Sequence, residues 1–222
     1  NSRFLENING DVNLGQKYNF DGVKKDEWVN VSTQFRFRMA QTSIHPRYMR
    51  SNELFGGIQF DDIWLAHICM NMQPNGRLHF GGNYDYGHRI ARYDLVMGKE
   101  INYGLWADVR PMDRFLISLS YRYVNSDDLN TGENLFSQSV FRSRLSLQMT
   151  RRLSARLVLQ YNDRYNSWDV DPLITYRINP FSIFYIGSTN DFRELNPIDD
   201  GRTGWTLTSR QYFLKLQYLF RI

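Results

Sequence analysis

Between Ser209 and Ile222 the chain reads SRQYFLKLQYLFRI, with Tyr212, Leu214, Leu216, Tyr218, Phe220 and Ile222 at alternate positions. Gln211, Lys215, Gln217 and Arg221 fall between them. Successive side chains of a β-strand point to opposite sides, so this spacing defines a strand with one apolar and one polar face. Such a strand needs cover for its apolar face, which is either the core of a water-soluble sheet or lipid. The rest of the chain has to discriminate between the two.

Composition narrows the choice. Aromatic residues make up 15% of the 222 residues, carried mainly by 14 Tyr and 15 Phe, types that favour pleated, half-buried surfaces. Mean hydropathy is −0.52, and no apolar run approaches the ~20 residues of a membrane-spanning helix. A barrel of alternating strands keeps its average hydropathy low and is not excluded. The net charge of +4 is spread evenly among acids, which argues against nucleic acid as a partner. The single cysteine, Cys69, forms no internal disulfide and leaves the compartment open. The chain starts without Met, a basic segment or an apolar segment, so any signal peptide is expected to have been removed or to lie upstream. The length fits one domain spanning 1–222.

Period-two runs bounded by turn residues predict an all-β chain of about eleven strands. They lie near 5–20, 27–40, 58–73, 77–87, 99–110, 113–124, 139–149, 153–162, 167–177, 181–188 and 209–222. Tight turns fall at 73–76, 110–113, 150–152 and 178–180, and long polar connections at 41–57, 88–98, 125–138 and 189–208. The short 163–166 and the longer 21–26 break that alternation. Pro172 supplies no donor and predicts a bulge or a strand start.

The strand faces test one another, because opposed residues of an antiparallel pair share a side. Trp64, Ala66, Ile68, Met70 and Met72 match Leu78, Phe80, Gly82, Tyr84 and Tyr86 when Gln73 lies opposite Arg77. Val109 similarly meets Phe115, and Met149 meets Leu153. The apolar faces end in aromatics on the long-loop side (Tyr84, Tyr86, Tyr103, Tyr121, Tyr123, Tyr161, Trp168, Tyr212) and on the tight-turn side (Tyr18, Phe20, Trp28, Tyr176, Tyr218, Phe220). Two aromatic girdles around an aliphatic band point to an antiparallel transmembrane β-barrel.

The terminal stretch RQYFLKLQYLFRI resembles the C-terminal signal by which bacterial outer-membrane barrels are recognised. Together with tract 140–189, notably DPLITYRINPFSIFYIGST, it is similar to a large, poorly characterised family of Gram-negative outer-membrane proteins. In that family a β-sandwich like a carbohydrate-binding module precedes a C-terminal barrel. The resemblance implies an outer-membrane location, contact with outer-membrane lipid and the barrel-assembly machinery, and an upstream domain or partner subunits. It brings no catalytic residues and no cofactor. Eleven strands are odd where single-chain barrels are even, so the chain is expected to be the C-terminal portion of a larger even-stranded barrel.

Candidate chemistry is sparse. His67, Cys69 and His79 share one face and offer a soft-metal set, against which stands ordinary polar lining. His88 with Asp85 and Asp94 imitates the acid/base apparatus of a rim hydrolase, and His45 beside Pro46 reads as a loop residue. Arg36, Arg38, Arg77, Arg114, Arg122, Arg142, Arg144, Arg156 and Arg177 fall on the polar face, partly offset by Asp11, Glu100, Asp108, Asp169 and Asp171. A basic lining favours anions; alternatively, these charges pair across strands and fill the interior. The expected function is a non-enzymatic surface, transport or channel role, with a carbohydrate link implied by the resemblance alone. A rim hydrolase and a soluble ligand-binding β-domain are the competing readings.

Overall fold

The computed structural model describes residues 4–195 and 204–218. Contacts divide the chain into two units, Asn1–Leu105 with Arg122–Gln138, and Trp106–Tyr121 with Ser139–Ile222. The first holds β1 (Leu5–Tyr18), β2 (Lys24–Phe37), β3 (Ser43–Phe55), β4 (Ile58–Asn75) and β5 (Leu78–Ala91). β6 (Val96–Met112), β7 (Phe115–Asp128) and β8 (Asn134–Gln148) give residues to both units. The second unit completes with β9 (Leu153–Asn162), β10 (Ser167–Asn179), β11 (Ser182–Leu195) and β12 (Gly204–Tyr218). Apart from a 3₁₀ turn at Met39–Gln41, the regular structure among the described residues is a twelve-stranded antiparallel sheet in sequence order. That is the all-β class expected, with the strand order of an up-and-down β-barrel. No helix among the described residues is long and apolar enough to cross a membrane.

The strand count is twelve rather than eleven, because 41–57 is not a loop. β3 pairs along both edges, Trp28 with Ser51 and Arg50 with Trp64. Pro46 and the charged Arg47, Arg50 and Glu53 hide its alternation in the sequence. Pro46 lacks a donor, and the β2–β3 ladder is open between Ile44 and Arg47 while Pro46 still pairs with Ile68 in β4. The odd count thereby disappears.

Inserting β3 moves the β1–β2 hairpin to the end shared by the connections 56–57, 92–95, 129–133 and 163–166. The exception at 21–26 is thereby resolved, and Tyr18 and Phe20 join the girdle opposite the one expected. The other long loops contract as well, since strands run on through 88–91, 125–128, 134–138 and 189–195. Among the described residues each connection has two to five residues. Asn125–Asp128 is polar on both faces, and the other strand ends hold too few alternating apolar residues to show a period of two, yet they are tied: Asn134 Nδ2 donates to Asn125 Oδ1 at 2.8 Å and Asp127 Oδ1 at 2.8 Å.

Register follows expectation in two hairpins, once with a correction. Gln148 lies opposite Ser154 around the 150–152 turn, which aligns Met149 with Leu153 as predicted. In β4–β5 the faces are right but the pairing is displaced by two residues: Met72 meets Phe80 and Met70 meets Gly82. The cause is an irregularity between Met72 and Asn75, where Asn75 Oδ1 accepts the N–H groups of Arg77 and Leu78. Pro172 lies mid-strand without a bulge. It pairs with Leu157 of β9, while the β10–β11 ladder pauses between Val170 and Leu173 and resumes in the same register. Asn190 Nδ2 donates to Val170 O at 2.9 Å across the gap.

The two faces of the first unit are inverted relative to a water-soluble sheet. On its polar face Asn102 is 3% and Ser126 2% exposed, with Asp85 and Glu100 also buried. On the apolar face of β1–β5 Leu14 is 71% exposed, and Val12, Val29, Val31, Tyr48, Ile68, Met70 and Tyr84 are exposed with it. In the second unit Phe141, Leu147, Ile174, Tyr176 and Ile186 are exposed too. Buried apolar side chains among the described residues are confined to Phe60, Ile63, Leu65, Ala91 and Val158. Each large apolar side chain gains roughly 1.5–3 kcal/mol when removed from water. The apolar face therefore calls for an apolar surrounding.

Candidate functional site

The polar face of the first unit carries a hydrogen-bonded belt across consecutive strands. His67 on β4 lies directly opposite Asp85 on β5, and His67 Nδ1–H donates to Asp85 Oδ1 at 2.5 Å. Asn102 on β6 donates from Nδ2 to Asp85 Oδ2 at 3.0 Å, and Arg122 on β7 donates from Nε to Asn102 Oδ1 at 3.3 Å. The His45 ring stands edge-on to His67 at 6.5 Å. Towards the hairpin at 92–95, Arg89 Nε meets Glu100 Oε1 at 3.1 Å. Buried polar groups of this kind are costly unless paired, and here each has its partner.

At the same hairpin end the polar face opens into a cleft of about 470 Å³. Asn13 on β1, Trp28 and Asn30 on β2, Arg47 and Ser51 on β3, and Leu65 on β4 contribute to its walls. Trp28 lies opposite Gly15, where a Cβ would stand 2.8 Å from Trp28 Cη2. The glycine thus admits the indole, whose Nε1–H donates to Asn13 Oδ1 at 2.8 Å. This places Trp28 on the polar face, not in the apolar girdle expected. A β-bulge between Ser51 and Glu53 accompanies Asp62 at φ +57°, and Asp62 N–H donates to Asn52 Oδ1 at 2.9 Å. A larger hollow of about 840 Å³ at this end is lined by Leu14, Val29, Val31 and Tyr48 of the apolar face together with Gln16, Glu27, Arg50, Asn52 and Asp62.

The proposed chemical groupings come apart. Cys69 faces Asn83 and accepts from Asn71 Nδ2 at 3.7 Å, while His67 is held by Asp85. No group of three or more His, Cys, Asp or Glu among the described residues is placed to hold a metal. His88 is not with Asp85: its Nδ1 is 3.2 Å from Asp62 O, and its ring packs 5.1 Å from that of Trp64. Asp94 sits in the 92–95 connection, its N–H donating to Ala91 O at 3.1 Å. His45 is a strand residue opposite Cys69 rather than a loop residue.

The arginines divide by position. Arg36 lies on the polar face opposite Asn7 and Ser43, and Arg122 belongs to the belt. Arg142, Arg144 and Arg156 share the polar face of β8 and β9, opposite Gln160, Val158 and Ser146. Arg144 Nη2 donates to Ser118 Oγ at 3.1 Å. Arg177 is on the same side of β10, opposite Ile183. Arg38 and Arg114 lie in connections, Arg38 giving its N–H to Phe4 O and Arg114 accepting from Gln148 N–H. Arg77 is a turn residue.

On β12, Tyr212, Leu214, Leu216 and Tyr218 share one exposed face, opposite Ser188, Ile186, Phe184 and Ser182. Phe220 and Ile222 lie outside the described residues. Trp205, hidden in the sequence within an apparent loop, joins an aromatic cluster, its ring 6.2 Å from Tyr161 and 6.5 Å from Trp168.

No family model matches the chain, and no curated protein does. Among solved structures, the chain is similar to the NanC porin at a TM-score of 0.40 and 8% identity, covering 88% of this chain and 94% of that one. It is similar to the CymD monoaromatic hydrocarbon channel at 0.38 and 10%, covering 86% and 75%. The functional reading rests instead on the faces of the strands.

Proposed function

We propose that this chain is a non-enzymatic β-barrel of a Gram-negative outer membrane with a transport or channel role, its polar face lining the path of a hydrophilic solute. The observation that carries this reading is the inversion of the strand faces: Asp85, Glu100, Asn102 and Ser126 buried, Val12, Leu14, Ile68 and Met70 exposed. Lipid is the surrounding that makes both faces stable at once. Strands of 10 to 18 residues meet or exceed the roughly 9–11 needed to cross a bilayer, and the longer ones can project their polar ends into water. Aromatic clusters at Tyr48–Trp64–Tyr86 and Tyr161–Trp168–Trp205 suit the membrane interface.

The exposed apolar face of β12 is the segment that the barrel-assembly machinery would read. An upstream carbohydrate-binding-module-like domain and a carbohydrate cargo remain part of the proposal through the family resemblance; the full-length gene product tests the former. Transport is tested by reconstituting the purified chain in planar bilayers. Stepwise conductance supports the reading, and folded, inserted protein that leaves the bilayer insulating overturns it.

A further inference from the structure

We infer that the cleft beside Trp28 binds a small hydroxylated carboxylate, the chemical class of a sugar acid. This rests on the transport reading, because it makes the cleft a recognition point on the solute's path. Three arginines line the cleft, and two are already neutralised. Arg89 is paired with Glu100, while Arg92 meets Glu53 Oε1 at 2.9 Å and lies 4.3 Å over the Phe55 ring. Arg47, in contrast, has no side-chain hydrogen bond or ion pair with a described residue. The cleft thus offers one uncommitted guanidinium, which suits a single carboxylate through a two-pronged, charge-assisted hydrogen bond.

A second group points the same way. Asn30 Oδ1 is buried and lacks a donor, although a buried acceptor of this kind ordinarily finds one. Asn30 lines the cleft, so a small rotation of its side chain brings this acceptor to a ligand hydroxyl or amide N–H. Asn13 and Trp28 are fixed to each other beside it, and Met49, Ile63 and Leu65 supply an apolar wall. A ligand that satisfies the site presents a carboxylate to Arg47, a hydroxyl to Asn30 and a less polar face to the wall. A neutral sugar leaves Arg47 unmatched. A simple carboxylate leaves Asn30 unmatched, and a hydrocarbon leaves both.

The test uses the purified chain in detergent micelles titrated calorimetrically with D-galacturonate, D-galactose and acetate. Galacturonate should bind saturably, and galactose and acetate at least roughly tenfold more weakly, the cost of an unmade hydrogen bond to a charged or buried partner. Arg47→Gln should weaken galacturonate roughly tenfold with galactose unchanged, and Arg47→Lys should recover part of the loss. Should Arg47→Gln fail to give the heat-modifiable folded band, Ser51→Trp, which fills the cleft from its wall, should abolish binding. Equal affinity for acetate, an unaffected Arg47→Gln or Ser51→Trp protein, or the absence of saturable binding overturns the site. Conductance measured in parallel separates the two ideas. Conductance without galacturonate binding removes only the site, whereas binding without conductance removes only the transport reading.

Discussion

At the residue scale, two carboxylates show how position sets their role. Asp85 accepts from both His67 and Asn102, so Asp85→Ala should leave the buried Asn102 Nδ2 and the half-buried His67 Nδ1 without this partner. The expected loss is about 1–3 kcal/mol, read as a lower urea midpoint in lipid; an unchanged midpoint would show that the belt does not stabilise the fold. Asp163 lies in the 163–166 connection, where Ser139 N–H and Ser139 Oγ donate to its two oxygens at 2.6 and 2.7 Å. Burial pushes its pKa up, but these hydrogen bonds, with a further one from Arg164 N–H, outweigh burial and hold the carboxyl below its ordinary value. A depressed folded pKa means that its stabilisation is complete above the ordinary aspartate value, about 3.9, and is lost as pH falls through the lower folded one. Thermal unfolding across the acid range should therefore show wild type losing more stability than Asp163→Asn; parallel curves would contradict the assignment. The His67–Asp85 pair was not legible in the sequence, because the two-residue displacement of the β4–β5 register decides which residue His67 meets.

At the element scale, the alternating faces give the sharpest substitutions. Leu157, mid-way along β9, lies on the apolar face opposite Leu145 and Pro172. Leu157→Arg should cost about 2–4 kcal/mol, as an arginine facing lipid at the midplane does, while Ser146→Arg on the polar face should cost less than about 1 kcal/mol, the repulsion of Arg156 directly opposite. Leu147, one residue from the end of β8, should tolerate Arg at a cost of roughly 0–1 kcal/mol. Unfolding titrations in lipid vesicles measure all three, and equal losses on both faces would refute the assignment of sides. Gly187 is a separate constraint: a Cβ there would stand 2.8 Å from Pro172 O and 2.6 Å from Phe213 Cζ. Gly187→Ala should destabilise by about 1–3 kcal/mol in the same titration, and no loss would mean that the strands relax freely. Period-two alternation located every strand but one and assigned most faces correctly. It failed where polar residues occupied both faces, as at Asn125–Asp128, and where Pro46 and neighbouring charges interrupted β3.

At the scale of the whole molecule, the proposed function requires that lipid, not water, cover the apolar faces. The sequence carried that claim through aromatic strand ends and polar alternate faces. It did not reveal the cleft, which depends on Trp28 crossing to Gly15 and on a bulge at Ser51–Glu53, both set by pairing with β3. The most direct measurement places single cysteines in a Cys69→Ser background at Ile68, Met70 and Tyr84 on one face, and at Arg47 and Asn83 on the other. Each carries an environment-sensitive fluorophore in vesicles. Lipid-borne quenchers should quench the labels at 68, 70 and 84, and water-soluble quenchers those at 47 and 83. Water-soluble quenching of labels at 68, 70 and 84, in protein that stays monodisperse without detergent, would contradict the account.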